Sequence, residues 1–117
     1  SGGILPANLA SLPLDFGIFE EYGGFIGSHA IVILSDHDNI KEAALNTMRF
    51  FKHESCGQCT PCRSGTDKMI SLLEDNNKEL DLYNALIKVM SDSSICGLGQ
   101  AASNCVSHLI KYFPEEF

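Results

Sequence analysis

The stretch Glu54-Ser55-Cys56-Gly57-Gln58-Cys59-Thr60-Pro61-Cys62-Arg63-Ser64-Gly65 sets three cysteines at intervals of three, in a segment with almost nothing to offer an apolar core. A loop wound that tightly turns three sulfurs into one concavity and brings its backbone N–H groups round with them. The pattern suits a cubane iron–sulfur cluster, whose iron corners each take one thiolate. Zinc sites more often use two separated C-x2-C pairs, because a tetrahedral ion is gripped from two knuckles.

The fourth ligand decides the chemistry. Three protein thiolates would leave one iron open to substrate, whereas four close the cluster and restrict it to passing electrons. Two candidates exist. Cys96 lies in Ser93-Ser94-Ile95-Cys96-Gly97-Leu98-Gly99, where glycines let the backbone approach a bulky anion, and it is the expected ligand. Cys105 falls on a helical stripe between Ala102 and Leu109, where a small hydrophobe is the default, and stays as the alternative. The bacterial ferredoxin pattern would place a cysteine and proline soon after Cys62. Arg63-Ser64-Gly65 follows instead, so one cluster is expected.

Helices opening at Pro61 and just after Cys96 would aim free N–H groups, and roughly half a positive charge each, at an anionic cluster. Arg63 is the nearest cation in sequence; it either favours the reduced state or is an ordinary first-turn surface residue. Gly57 and Gly65 fit tight turns flanking the loop, and Glu54 and Ser55 are placed to hydrogen-bond it.

Composition narrows the partners. The 117 residues, 44% apolar, suit one compact domain or a small domain with an attached piece of another. The net charge of −7, without any basic block, excludes nucleic acid and anionic membrane surfaces, and no apolar run is long enough to span a bilayer. An odd count of five cysteines and no export signal fit metal binding in a reducing compartment better than a disulfide framework. Ser1-Gly2-Gly3 has neither an initiator methionine nor a leader pattern, so a processed, trimmed or partial polypeptide is expected.

The expected fold is mainly α: a small four-helix bundle over 38–117, preceded at 1–37 by the end of a β domain. The run 30–34 reads as a buried strand, with Ile4-Leu5 its one evident partner. Ile40, Ala44, Thr47, Met48 and Phe51 form the stripe of a first helix capped by Asp36 or Asp38. A second opens at Pro61 with Thr60 as cap and ends near Asn76-Asn77. A third, over 79–90, turns Leu82, Leu86, Val89 and Met90 inward. The last follows Gly99, with Ala102, Cys105, Val106, Leu109, Ile110 and Phe113 facing the core. The histidines have plain readings: His29 flanks the strand, His37 sits in a capping loop, His53 ends a helix and His108 lies beside the last stripe. No acid–base pair, nucleophile triad or phosphate loop is found, and Gly23-Gly24-Phe25-Ile26-Gly27-Ser28 reads as turn glycines.

ESCGQCTPCRSG followed by SSICGLGQ resembles the C-terminal cluster domain of the NADH-oxidising flavoprotein subunit of respiratory complex I, NAD-reducing hydrogenases and NAD-dependent formate dehydrogenases. SGGILP and PLDFGIFEEYGGFIGSHAIVIL are similar to the closing part of that family's β-grasp (soluble-ligand-binding) domain. CGLGQ and KYFPEEF look more like the hydrogenase and formate dehydrogenase branch. The resemblance implies that Cys56, Cys59, Cys62 and Cys96 bind one [4Fe–4S] cluster, and Cys105 matches no ligand. The cluster would relay single electrons from reduced FMN to iron–sulfur clusters in partner subunits. FMN and NAD(H) would sit in an upstream domain outside these residues, which makes this segment the electron-transfer part of an NAD(H)-dependent oxidoreductase. The setting implied is cytoplasmic, or the cytoplasmic or matrix face of a membrane-associated complex, without direct membrane insertion. Two rivals remain: a structural zinc module using the same cysteines or His53 in place of one, and a thiol–disulfide enzyme using Cys56–Cys59 or Cys59–Cys62. The second lacks the strand that leads into a thioredoxin-like motif.

Overall fold

Apolar side chains at helical spacing organise most of the chain. In the computed structural model, which describes residues 2–117, α1 spans Ile40–Glu54 and buries Ile40, Ala44, Leu45, Met48 and Phe51 on one face. Its cap is Asn39, whose side chain accepts the Glu42 N–H at 2.9 Å, rather than Asp36 or Asp38. Asp38 is already committed to the preceding turn, accepting from the Ser35 N–H at 2.6 Å and from its hydroxyl at 2.9 Å. Glu116, near the other end of the chain, accepts the Ile40 N–H at 2.7 Å and brings a carboxylate to the positive end of α1.

Helix α2 spans Thr60–Glu74 with Pro61 in its first turn, and its N-cap is Cys59, one residue before the expected Thr60. Asn76 adopts left-handed φ of 52° and Asn77 N–H returns to Leu72 O at 2.9 Å, closing the helix. Helix α3 spans Leu80–Ser93, three residues further than expected, and buries Tyr83 and Met90. The Tyr83 ring meets Phe117 edge-on at 4.9 Å, and with that face inward Val89 turns out, 49% exposed. The expected last helix is divided into the five-residue α4, Gly97–Ala101, and α5, Asn104–Tyr112. The break falls at Ala102 and Ser103, both buried, where Ser103 flattens to φ −85°, ψ −2°.

Helix α1 packs on α2 and α5, and α3 on α2, α4 and α5. Met48, Met69, Leu73, Met90 and Leu109 are fully buried between them. Each contributes roughly 1.5–3 kcal/mol relative to an exposed side chain. Gly65, expected in a turn, lies inside α2, where an added Cβ would stand 2.7 Å from Cγ and Sδ of Met90. Its lack of a side chain sets how closely α2 and α3 approach.

The N-terminal third forms two 3-10 turns, Ala7–Leu9 and Phe19–Tyr22, and contains no strand among the described residues. The run 30–34 is not buried: Ile31, Val32 and Ile33 are 65, 80 and 91% exposed. A strand needs a neighbour for its backbone groups, and Ile4, the expected partner, is taken by α5 instead. There His108 is only 1% exposed, and its Nδ1 accepts the Ile4 N–H at 3.0 Å. Gly3, Gly23 and Gly24 lie against the imidazole ring, and Tyr112 Oη donates to Tyr22 O at 3.1 Å. His108 is thus a clasp on the N-terminal segment rather than a bystander. No helix is long and apolar enough to cross a membrane among the described residues.

Two outcomes follow from this packing. Gly65→Ala gains up to about 1 kcal/mol of helix propensity, but crowding Met90 costs about 1–3 kcal/mol. Chemical denaturation of the variant is expected to show net destabilisation. Burial holds the His108 pKa below its ordinary 6.5, reinforced by the Lys111 cation and opposed by backbone groups of Gly23, Tyr22 and Ile4. The unfolded chain therefore takes up this proton first as pH falls. Stability is lost from about pH 6.5 down to the lower folded value and levels off beneath it. The denaturation midpoint is expected to fall over that range, and the fall to shrink in His108→Asn, which still accepts but does not titrate.

Candidate metal centre

The loop between α1 and α2 begins where α1 is stopped by Ser55, whose extended backbone still donates N–H to Phe51 O at 3.0 Å. Ser55 Oγ accepts the Gly57 N–H at 3.2 Å, and Gly57 takes a left-handed φ of 72° that other residues resist. Cys56 lies exposed on this turn. Cys59 then caps α2, and Cys62, in the first helical turn, is buried. Arg63 braces the turn from outside: its guanidinium donates to Gly57 O, to Gln58 O at 3.5 Å and to Thr60 Oγ1 at 3.3 Å. Thr66 Oγ1 donates to Cys62 O at 2.9 Å, tying the buried cysteine to its own helix.

The facing wall is the turn from α3 to α4. Ser94 caps the end of α3, and Cys96 is the N-cap of α4. Gln100 closes this turn by donating Nε2–H to Ser94 O at 3.1 Å and its backbone N–H to Cys96 O at 3.2 Å. The two walls meet at Gly99. An added Cβ there would stand 2.5 Å from Ser94 Oγ and 2.9 Å from Cys62 Cβ, so only glycine allows this approach.

The Cys59 thiol is held below its ordinary pKa, first by the Ile95 backbone N–H and then by that of Cys62, against a smaller opposing effect of burial. Its own N–H and the Ser94 hydroxyl add less. Backbone amides of both walls thus favour the Cys59 thiolate, although its sulfur closes no capping hydrogen bond on α2. The Ser94 hydroxyl faces the same sulfur but does not reach hydrogen-bond geometry; its Oγ is buried and unpartnered among the described residues. Amide donors aimed at a sulfur, an unsatisfied hydroxyl and a close approach free of side chains are what a bulky, anionic, sulfur-ligated group needs around it. The residues present fit a [4Fe–4S] cluster.

Of the expected ligands, Cys59 and Cys62 are brought against the turn that carries Cys96, while Cys56 and Cys96 are exposed at the rim. Among the described residues, no three His, Cys, Asp or Glu side chains converge on the scale of a single ion. Cys105 lies apart in the core, 2% exposed, and burial pushes its thiol pKa up, which disfavours the thiolate a metal needs. His53 is exposed beside Glu54 at 3.2 Å. Sequence reasoning missed Ser94 and Gln100 as parts of the site, and gave Gly99 a close approach to the bound group rather than to Cys62 and Ser94. Their only signal was proximity to Cys96, and their roles depend on which turn α3 is packed against.

Residues 42–117 match the family described as the NADH-ubiquinone oxidoreductase-F iron-sulfur binding region. The NADH-quinone oxidoreductase F subunit of Aquifex aeolicus (strain VF5) is 34% identical, over 91% of this chain and 25% of its own length. That of Rickettsia akari (strain Hartford) is 35% identical, over 97% of this chain and 28% of its own. The chain therefore spans about a quarter of the length of the curated relatives it matches. A crystal structure of an NAD+-reducing [NiFe]-hydrogenase in the H2-reduced state superposes with TM-score 0.68 at 28% identity, covering 79% of this chain and 18% of that one. With the family region running from the first turn of α1 to the end of the chain and taking in both cysteine turns, the chain belongs to the NADH-ubiquinone oxidoreductase-F iron-sulfur binding family.

Proposed function

We propose that Cys56, Cys59, Cys62 and Cys96 hold one [4Fe–4S] cluster and that this segment is the one-electron relay of an NADH-oxidising flavoprotein subunit. The observation that carries the reading is the meeting of the two cysteine turns at Gly99, with backbone amides of both favouring the Cys59 thiolate. When bound, the cluster supplies reversible one-electron transfer. Four thiolates leave no coordination position for substrate, so the residues' task is to hold charge and geometry constant. The Ile95 and Cys62 amides oppose the negative charge that reduction adds. Arg63 fixes the carbonyls of Gly57 and Gln58, keeping the tight turn from rearranging.

Residues 1–37 are, on this reading, the end of a β-grasp domain, and 38–117 the cluster domain. The exposed run Ile31-Val32-Ile33 supports it, because a bare β-branched apolar run of that kind suits a sheet completed by other residues. Electrons would arrive from FMN in an upstream NADH-binding domain and leave through iron–sulfur centres of partner subunits. The complex would work in the cytoplasm, or at the cytoplasmic or matrix face of a membrane. The names of the family and the relatives supply NADH oxidation and an iron-sulfur region; the FMN, the partner clusters and the compartment are what the motif resemblance implies.

The test is anaerobic purification with analysis of iron and acid-labile sulfide. About four of each per chain, with a reduced-state EPR signal, is the expected result; zinc without sulfide, or a polypeptide that refuses reconstitution, would overturn the reading. Cys96→Ser is expected to lose most of the cluster and Cys105→Ser to keep it, by the same analysis. Arg63→Gln frees the loop carbonyls, so reduced cluster retention and faster loss of visible absorbance in air are expected.

A further inference from the structure

Two serine hydroxyls sit against the cysteine turns from opposite walls. Ser55 Oγ lies 3.2 Å from Cys62 Sγ and accepts the Gly57 N–H at 3.2 Å. That amide occupies a lone pair and leaves the hydroxyl proton free. A metal-bound Cys62 has no proton to give, so the bond then runs from Ser55 O–H to sulfur. Ser94 approaches from the other wall. Its backbone is fixed at both ends, with N–H donating to Met90 O at 3.3 Å and the carbonyl accepting from Gln100 at 3.1 Å. Its hydroxyl is buried at the Gly99 contact, beside Cys62, with no partner among the described residues. A buried hydroxyl left so is costly, and the side chain set beside it at the Gly99 contact is that of Cys62.

We infer that Ser55 and Ser94 are positioning residues that donate hydrogen bonds to the cluster's thiolates, Ser55 to Cys62 and Ser94 from the opposite wall at the Gly99 contact, and so raise its midpoint potential. The inference rests on the [4Fe–4S] reading above. Reduction adds an electron to a group already anionic, and donors to sulfur stabilise the reduced state more than the oxidised one. Both serines also end helices, Ser55 after α1 and Ser94 after α3. A purely structural role would change how much cluster is held, whereas a donor to sulfur changes the potential of whatever cluster is present.

The experiment separates the two. Ser55→Ala, Ser94→Ala and the wild-type protein are purified without oxygen, assayed for iron and sulfide, and titrated with EPR detection, which reads only molecules carrying the reduced cluster. Each alanine variant is expected to show about a tenfold smaller reduced-to-oxidised ratio at fixed potential, a downward shift of about 59 mV for one electron. Ser55→Thr, which keeps the hydroxyl, is expected to return toward the wild-type midpoint. Alanine variants titrating at the wild-type midpoint, at full or partial occupancy, overturn the inference. So does complete loss of cluster in both alanine variants, because one tuning hydrogen bond is too weak to abolish assembly. A wild-type protein without iron and sulfide would instead sink the cluster reading itself.

Discussion

The close approach at Gly99 is the contact that organises the site. Two irregular turns, each carrying cysteine, are pressed together there with no side chain between them, and Cys62 and Ser94 fill the space on either side. Neither turn has enough regular hydrogen bonding to hold itself. Each is an overhang from a helix end: Ser55 and Cys59 bracket the first between α1 and α2, Ser94 and Cys96 the second between α3 and α4. Their separation is therefore set by the core between those helices. Gly65 on Met90 fixes how near α2 and α3 lie, and the site inherits that spacing.

Placing cysteines at N-caps has an electrostatic consequence. A capping side chain stands over unsatisfied N–H groups, and the amides of Ile95 and Cys62 favour the Cys59 thiolate although its sulfur closes no capping hydrogen bond. The carbonyls that would repel an anion, Gly57 O and Gln58 O, are turned outward and claimed by Arg63. Arg63 thus acts first on geometry. Its charge remains beside the loop, but its exposed position leaves that charge well screened.

Helix α5 joins this centre to the N-terminal segment. Its inner face packs Cys105, Val106 and Leu109 into the core, while His108 and Tyr112 hold the turns around Gly3 and Tyr22. A buried imidazole accepting a backbone N–H is polar glue, stable only while neutral, because a second proton would set two donors face to face. The N-terminal third, with no strand among the described residues, is attached to the bundle largely by this clasp and by Ile4 and Leu34 at the edge of the core.

Features with a local cause could be read straight from the residues. The helical stripes, Pro61 in the first turn of α2, the close-set cysteines and the irregular turn around Cys96 were all legible, because helix periodicity and turn chemistry are written in neighbouring positions. Features that depend on distant residues emerged only with the packed chain. Asn39 and Cys59 took the caps because their neighbours were committed elsewhere. Val89 turned outward because Tyr83 and Phe117 claimed the inner face, and the last helix broke where Ala102 and Ser103 are buried. Within the apolar run at 30–34, Ile31, Val32 and Ile33 stayed bare because Ile4 is bound to His108. Gly65 looked like a turn glycine and Gly99 like room for a bulky anion, and both proved to be points where side chains of other segments press in. A missing side chain has meaning only once the fold shows what occupies its place.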